Sequence, residues 1–312
     1  MNLKQIDKRI VKKRFSRHAH EYDQYADVQC DMAAALLDDE LVLERLKRWR
    51  ENKQPIQILD IGCGTGLLTA LILAQLGEAH ITLLDLSKEM LDEAEQKLVE
   101  SGLSIPLHKI EADAEAWISS QTATFDMIVS NAALQWFHEP CRVLQHAAAL
   151  LRPGGLLACS TFLPGTLYEL HHSCSAADHL LGRSREERGQ TYAELHTLTN
   201  AVSLAMNSRW AHEARVKRAA CAAEPTSTVF GTERMQISSR ALTLTYEYDS
   251  ARQMMKHIRG VGASNALHDR THMVTRSWIH EMLAYYEHTY PGSDGEGVQA
   301  TYEVGLLSAL NR

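Results

Sequence analysis

The residues best placed to do chemistry stand in one short run, Asp60-Ile61-Gly62-Cys63-Gly64-Thr65-Gly66, with a second acid, Asp85, one strand-helix-strand unit further on. Glycines at alternate positions let backbone amides approach a ligand where side chains would block it. Two cofactor classes compete for such a turn. A dinucleotide loop reads Gly-x-Gly-x-x-Gly, which from Gly62 requires glycine at position 67, and this chain has Leu67. Charge agrees with spacing: Asp60 beside a pyrophosphate would set anion against anion, whereas beside the ammonium of a methionine moiety it attracts. Asp85 is suited to accept from both hydroxyls of a ribose, a role shared by adenosine-containing cofactors generally. The bland alternative is a tight turn with no ligand, and the two acids around the glycines weigh against it.

Such a turn needs a strand before it and a helix after it. Ile56 to Ile61 reads as a short apolar strand and Leu67 to Leu76 as a helix ended by Gly77. Ala79 to Leu84 is a second strand closed by Asp85, and Ser87 caps a helix from Lys88 to about Glu100. Pro106 to Glu111 and Phe125 to Ser130 follow as strands. A helix from Cys141 to Leu151 stops at Arg152-Pro153-Gly154-Gly155, and Leu156 to Phe162 is a fifth strand. Alternation at this spacing predicts an α/β fold with a doubly wound, mostly parallel sheet. Leucines at near-helical spacing between Met32 and Trp49 mark residues 1–50 as an N-terminal helical segment. After Phe162 the alternation lapses, and residues 163–240 read as a helical insertion. Strands return at Ala241 to Tyr248 and between Val298 and Leu307, with a helix from Ser250 to Arg259 between them, which brings the sheet to seven strands in a single 312-residue domain.

Composition excludes more than it selects. Apolar residues at 45% and charged residues at 23% fit an ordinary globular chain, and a net charge of -7 disfavours a dedicated nucleic-acid binder. No apolar run is long enough to cross a bilayer and the N-terminus lacks the apolar stretch of a signal peptide, so the expected location is the cytoplasm. The six cysteines (Cys30, Cys63, Cys141, Cys159, Cys174, Cys221) form no CxxC pair and are expected to be reduced. His171, His172, His257 and His268 show no ligand spacing with carboxylates, and no metal is expected.

Leu59-Asp60-Ile61-Gly62-Cys63-Gly64-Thr65-Gly66, Asp85 with Ser87, Ala112-Asp113, Phe125-Asp126 and Leu151-Arg152-Pro153-Gly154-Gly155 resemble the successive motifs of class I S-adenosylmethionine methyltransferases. The resemblance implies that fold, Rossmann-like, with S-adenosyl-L-methionine as cofactor and S-adenosyl-L-homocysteine as product. It carries cofactor contacts onto Asp60, Gly62, Gly64, Gly66, Asp85, Leu86, Asp113, Ala114 and Asn131, with Asp113 meeting the adenine amine. It places Ser130, Asn131, Gln135 and Trp136 at the methyl-transfer site.

Three further stretches are similar to the malonyl-acyl-carrier-protein O-methyltransferases of early biotin synthesis. They are Arg14 to Asp23 with Tyr25-Ala26, Asn131 to Phe137, and Gly260-Val261-Gly262-Ala263-Ser264; Gly165 to Leu170 is similar as well. That family implies Tyr22 covering the cofactor, Tyr22 and Trp136 in catalysis, and a malonyl thioester on acyl carrier protein as acceptor and partner. Phe162, Lys256 and Arg259 are expected to line the acceptor mouth or meet the partner. Basic residues cluster at Arg252, Lys256, Arg259, Arg270 and Arg276, and again at Arg183, Arg185, Arg209, Arg215, Lys217 and Arg218; each is either a docking face for an acidic carrier or an ordinary solvated face. The Gln135-Trp136 pair is shared with trans-aconitate-type carboxyl methyltransferases, which leaves a small free acid as the alternative acceptor. A nicotinamide oxidoreductase is the reading that Leu67 opposes.

Overall fold

In a computed structural model, residues 6–53, 55–101, 106–184, 190–220, 235–262 and 275–312 are described, residues 208–220 by their backbone alone. Seven strands form one sheet: β1 (Ile56–Ile61), β2 (Ala79–Asp85), β3 (Leu107–Glu111), β4 (Phe125–Asn131), β5 (Leu151–Phe162), β6 (Met235–Tyr248) and β7 (Val298–Asn311). Their spatial order is β3-β2-β1-β4-β5-β7-β6. The first five run parallel, while β7 lies antiparallel to both β5 and β6. Strand order reverses between β1 and β4, and the crevice beyond their carboxyl ends is where open α/β sheets bind ligands.

Three helices precede the sheet, α1 (Lys8–His18), α2 (Asp27–Leu37) and α3 (Glu40–Asn52), with a 3-10 segment, Ala19–Tyr25, between the first two. The crossovers are α4 (Leu67–Leu76), α5 (Lys88–Glu100), α6 (Ala114–Ser119) and α7 (Pro140–Ala149). Beyond β5 come α8 (Tyr168–Leu180) and α9 (Leu195–Ala220), then α10 (Ala251–Gly260) and α11 (Arg276–Thr289) after β6. Short polar side chains open many of them by accepting otherwise unpaired backbone N–H groups: Asp7 opens α1, Asp39 opens α3, Ser87 opens α5 and Asp113 opens α6.

The sheet separates two apolar cores. Ile56, Ile58, Ile81 and Leu83 face α2 to α4, whereas Leu59, Ile61, Leu84 and Ile128 face α6, α7 and α9. Five of the six residues of β1 are buried, as a central parallel strand covered on both faces must be.

Several boundaries differ from the sequence reading, each for a local reason. Arg152-Pro153-Gly154-Gly155 lies inside β5 rather than before it. Phe125 pairs with Leu151 and Met127 with Leu156, so the four residues form an irregular excursion within the ladder. A Cβ on Gly155 would sit 2.8 Å from the Arg152 carbonyl oxygen and 3.1 Å from that of Asp126. β6 starts at Met235, not Ala241, so the last residues of the stretch read as a helical insertion are strand; as the edge strand it is half exposed, and Met-Gln-Ile-Ser-Ser-Arg lacks the apolar content by which a strand is recognised. β7 runs on to Asn311. Helices α6 and α11 had no counterpart in the sequence reading. Residues 185–189, 221–234 and 263–274, with Cys221, Arg185, His268, Arg270, Ala263 and Ser264, lie outside the described set, as do the side chains of Arg209, Arg215, Lys217 and Arg218.

Candidate active site

The glycine run leaves β1 at Ile61 and is tied at once to β2. Gly62 N–H donates to the Leu84 carbonyl at 2.7 Å, and Gly64 N–H donates to Asp85 Oδ2 at 3.0 Å. Asp85 Oδ1 accepts from Ser87 N–H at 2.8 Å, so this acid joins the turn to the start of α5. Gly62 has φ +68, and a Cβ there would lie 2.5 Å from that of Ala133. Gly66, the third glycine, caps α4 at φ 76 and packs against Ala94 of α5. It stands behind the turn and does not line the cavity.

That cavity encloses about 950 Å³, open mouth included. Asp60, Gly62 and Gly64 lie at its base, Asp85, Leu86, Asp113 and Ala114 along the β2 and β3 side, and Asn131 and Trp136 along the β4 side. Tyr22 joins from the N-terminal segment, together with Lys8, Val11 and Phe15 of α1 and Gln29 of α2, which the sequence reading missed. A signal for the α1 wall was present: Lys8, Val11, Lys12 and Phe15 follow the i, i+3, i+4, i+7 spacing of one helical face behind a capping Asp7.

Asp60 is 1% exposed, and its Oδ2 accepts from Thr69 Oγ1 at 2.6 Å. Burial pushes its carboxyl up to about 7; the Thr69 bond opposes the shift and the Asp85 charge adds to it. Enclosure also raises Asp85, against the pull of N–H donors from Ser87, Gly64 and Leu86. Burial, reinforced by the charges of Asp85 and Asp23, raises the Tyr22 hydroxyl and keeps it neutral. Phe15 stands 6.2 Å from the Tyr22 ring and edge-on to Trp136 at 5.3 Å, completing an aromatic wall. Asp113 caps α6 and also accepts from Lys8 Nζ at 2.6 and 2.7 Å, a partner 105 residues away. Asn131 donates to the Gln29 carbonyl at 3.0 Å and accepts from Ser160 Oγ at 2.5 Å.

Several expected residues are placed elsewhere. Ser130, 2% exposed, turns its hydroxyl to the Ile61 carbonyl at 2.8 Å. Gln135 folds back onto its own turn, donating to the Ala132 carbonyl at 2.6 Å and accepting from Thr161 Oγ1 at 3.3 Å. Phe162 packs against Tyr192 and Tyr302 at 6.2 and 5.9 Å and does not line the cavity. Lys256 and Arg259 are exposed on α10 and do not line it either. Their helix still bears on the site: a Cβ on Gly260 would fall 2.3 Å from the Tyr25 ring, and His257 meets that ring edge-on at 5.2 Å. The Gly260-Val261-Gly262 run thus seats the segment that carries Tyr22. No helix among the described residues is long and apolar enough to cross a membrane.

The site is one in which acids at the base, an aromatic wall and a glycine turn can enclose a cationic, adenosine-like molecule. Comparison with known proteins gives the family. Residues 58–155 match the model of a methyltransferase domain. A malonyl-[acyl-carrier protein] O-methyltransferase of Brevibacillus brevis is 32% identical over 308 residues, covering 98% of this chain and 97% of that protein. The protein of the same name from a Paenibacillus species is 32% identical over 305 residues, covering 97% and 98%. That of Halalkalibacterium halodurans reaches 42% over 189 residues, covering 60% and 67%. With such similarity along nearly the full length of both chains, the protein belongs to the malonyl-[acyl-carrier protein] O-methyltransferase family.

Proposed function

We propose that this protein transfers a methyl group from S-adenosylmethionine to the free carboxylate of a malonyl thioester on acyl carrier protein, an early step of biotin synthesis. The carrying observation is the extent of the kinship. It runs past the methyltransferase-domain match at 58–155 through α8 to α11 and the β6-β7 pair, over 97% of the B. brevis protein.

The cavity residues fit the cofactor's parts. Asp60, enclosed and poised near neutrality, suits the α-ammonium. Asp85 is fixed by two backbone N–H groups and faces the cavity, which suits the ribose diol. Leu86 and Ala114 offer an apolar slot for adenine, and Asp113, although engaged by Lys8, keeps acceptor capacity for its amine. Tyr22, Phe15 and Trp136 form an aromatic wall whose ring faces would suit a sulfonium cation. When bound, the cofactor supplies an electrophilic methyl group.

The rest falls to the chain's own residues. A malonyl carboxyl titrates near ~4 and reaches the site as a carboxylate, so no general base is required. Tyr22 and Trp136 act by walling off water and fixing orientation, effects worth up to about 7–11 kcal/mol in favourable systems. Arg252, Lys256 and Arg259 are exposed on α10 beside the Tyr25 seat and offer a basic face to an acidic carrier.

Incubating the protein with malonyl-carrier protein and S-adenosylmethionine should yield the malonyl methyl ester, read by mass spectrometry of the intact carrier. Methylation of free small dicarboxylates with none on the carrier would replace this reading by the small-acid one.

A further inference from the structure

Among the described residues, five buried side-chain atoms have no hydrogen-bond partner: Gln29 Oε1, Arg45 Nε, both Glu169 carboxylate oxygens and Ser308 Oγ. Of the residues concerned, only Gln29 lines the cavity. An unpaired buried amide oxygen costs about 1–3 kcal/mol, so a chain that keeps one at a ligand site has a use for it when the ligand is present.

The surroundings say which part of the ligand this is. Gln29 is 8% exposed, and α2 holds it from the backbone: its carbonyl accepts from Asn131 Nδ2 at 3.0 Å. Asn131 ends β4, two residues beyond Val129, the ladder partner of Asp60. Gln29 therefore belongs to the β1–β4 end of the cavity, away from Asp113 and Lys8. Its oxygen is an acceptor in a neighbourhood already supplied with an acid, and an acid with an amide oxygen is a set of acceptors for a small cation with several N–H groups to donate. The two cavity lysines cannot serve: Lys8 is paired with Asp113 and Glu115, and Lys12 with Glu111.

We propose that Gln29 reads the amino-acid end of the cofactor, its side-chain oxygen accepting from the α-ammonium that Asp60 neutralises. The assignment rests on the S-adenosylmethionine reading above. It makes Gln29 a selector for the intact amino acid over adenosine thioethers that lack it, and it explains why the ligand-free chain tolerates an unpaired amide.

The test uses two ligands, S-adenosylhomocysteine and 5′-methylthioadenosine, which share the nucleoside and sulfur but differ in the amino-acid end. Calorimetric titration of Gln29→Leu should show about 10-fold or greater loss for S-adenosylhomocysteine and no change for methylthioadenosine. Gln29→Glu, which keeps an acceptor, should hold or tighten S-adenosylhomocysteine. Gln29→Leu should melt no lower than the unaltered chain without ligand, since an unpaired polar group has been removed. Equal loss for both ligands would make Gln29 a packing residue, no loss for either would make it a bystander, and collapse of binding in Gln29→Glu would mean that the amide faces the carboxylate; each overturns the proposal. Failure of the unaltered chain to bind S-adenosylhomocysteine would instead overturn the cofactor reading beneath it.

Discussion

Asp60 carries its own pH signature. Its carboxyl lies near the ordinary ~4 in an unfolded chain and about 7 in the folded one, so the folded state holds the proton more tightly. A raised folded-state pKa contributes stability that is complete below the unfolded value and is lost as pH rises through the folded one. The ligand-free melting temperature should therefore fall between about pH 4 and pH 7. Asp60→Asn should flatten the fall without abolishing it, because Asp85 is shifted the same way. An identical slope in thermal melts of the two proteins would mean that the buried Asp60 carboxyl is not its source. Cofactor affinity runs in the opposite sense, since an ammonium favours the ionised acid and binding strengthens as pH rises through about 7. Asp60, Gly62, Gly64 and Asp85 were legible in the sequence because their spacing lies within one strand-turn-helix unit, where local geometry dictates residue type. Lys8 and Gln29 were not, because they meet their partners, Asp113 and Asn131, across 105 and 102 residues. Ser130 and Gln135 erred for a related reason: nearness in sequence to a site does not determine which way a side chain points.

At the scale of elements, α1 and the 3-10 segment after it form a cover fastened along one edge by polar contacts. Lys8 meets Asp113 and Glu115, Lys12 meets Glu111, Ser16 meets Glu89, His20 meets Glu93, and Asp23 meets Lys97 and Thr65. Their apolar support is a small cluster, Ile6 and Val11 with Phe15 and Trp136, separate from both main cores. Exposed ion pairs contribute about 0–1 kcal/mol each and are screened by salt. If Tyr22 covers the cofactor as proposed, bound S-adenosylhomocysteine should accordingly leave several-fold faster at about 0.5 M than at about 0.05 M salt, as followed by stopped-flow displacement. Lys12→Met should weaken that dependence, and an exit rate indifferent to salt would show that opening breaks apolar contacts instead. The parallel β-α alternation could be read in advance because β1, β2 and β4 carry apolar runs, α4 ends at a glycine and α5 opens on a serine cap; the six-residue α6 between β3 and β4 is too short to show a period. Edge strand β6 escaped in part because half of it faces solvent, and the Arg152-Pro153-Gly154-Gly155 excursion escaped because turn residues inside a strand carry the same letters as turn residues between elements.

In the whole molecule, the last strand is an inner one. β7 lies between β5 and β6, with Val304, Leu306, Leu307 and Ala309 each at most 1% exposed, and Asn311 donates to the Leu151 and Arg152 carbonyls at 3.3 and 3.0 Å. Leu306→Ala should cost about 2–5 kcal/mol in urea unfolding, as buried leucines do, and a loss below about 1 kcal/mol would mean that the surroundings close over the gap. The order of strands also has a consequence for synthesis. A growing chain that has not yet extended past Val298 holds β5 with one bare edge and β6 with no neighbour at all, so two ladders wait for the same late segment. The first five parallel strands are free to assemble while the polypeptide is still being made, but the final pairing spans some 150 residues between Leu156 and Leu310. Until then the nascent protein presents open strand edges to its surroundings, and its exposure to chaperones and to self-association is concentrated in the interval before the final strand arrives.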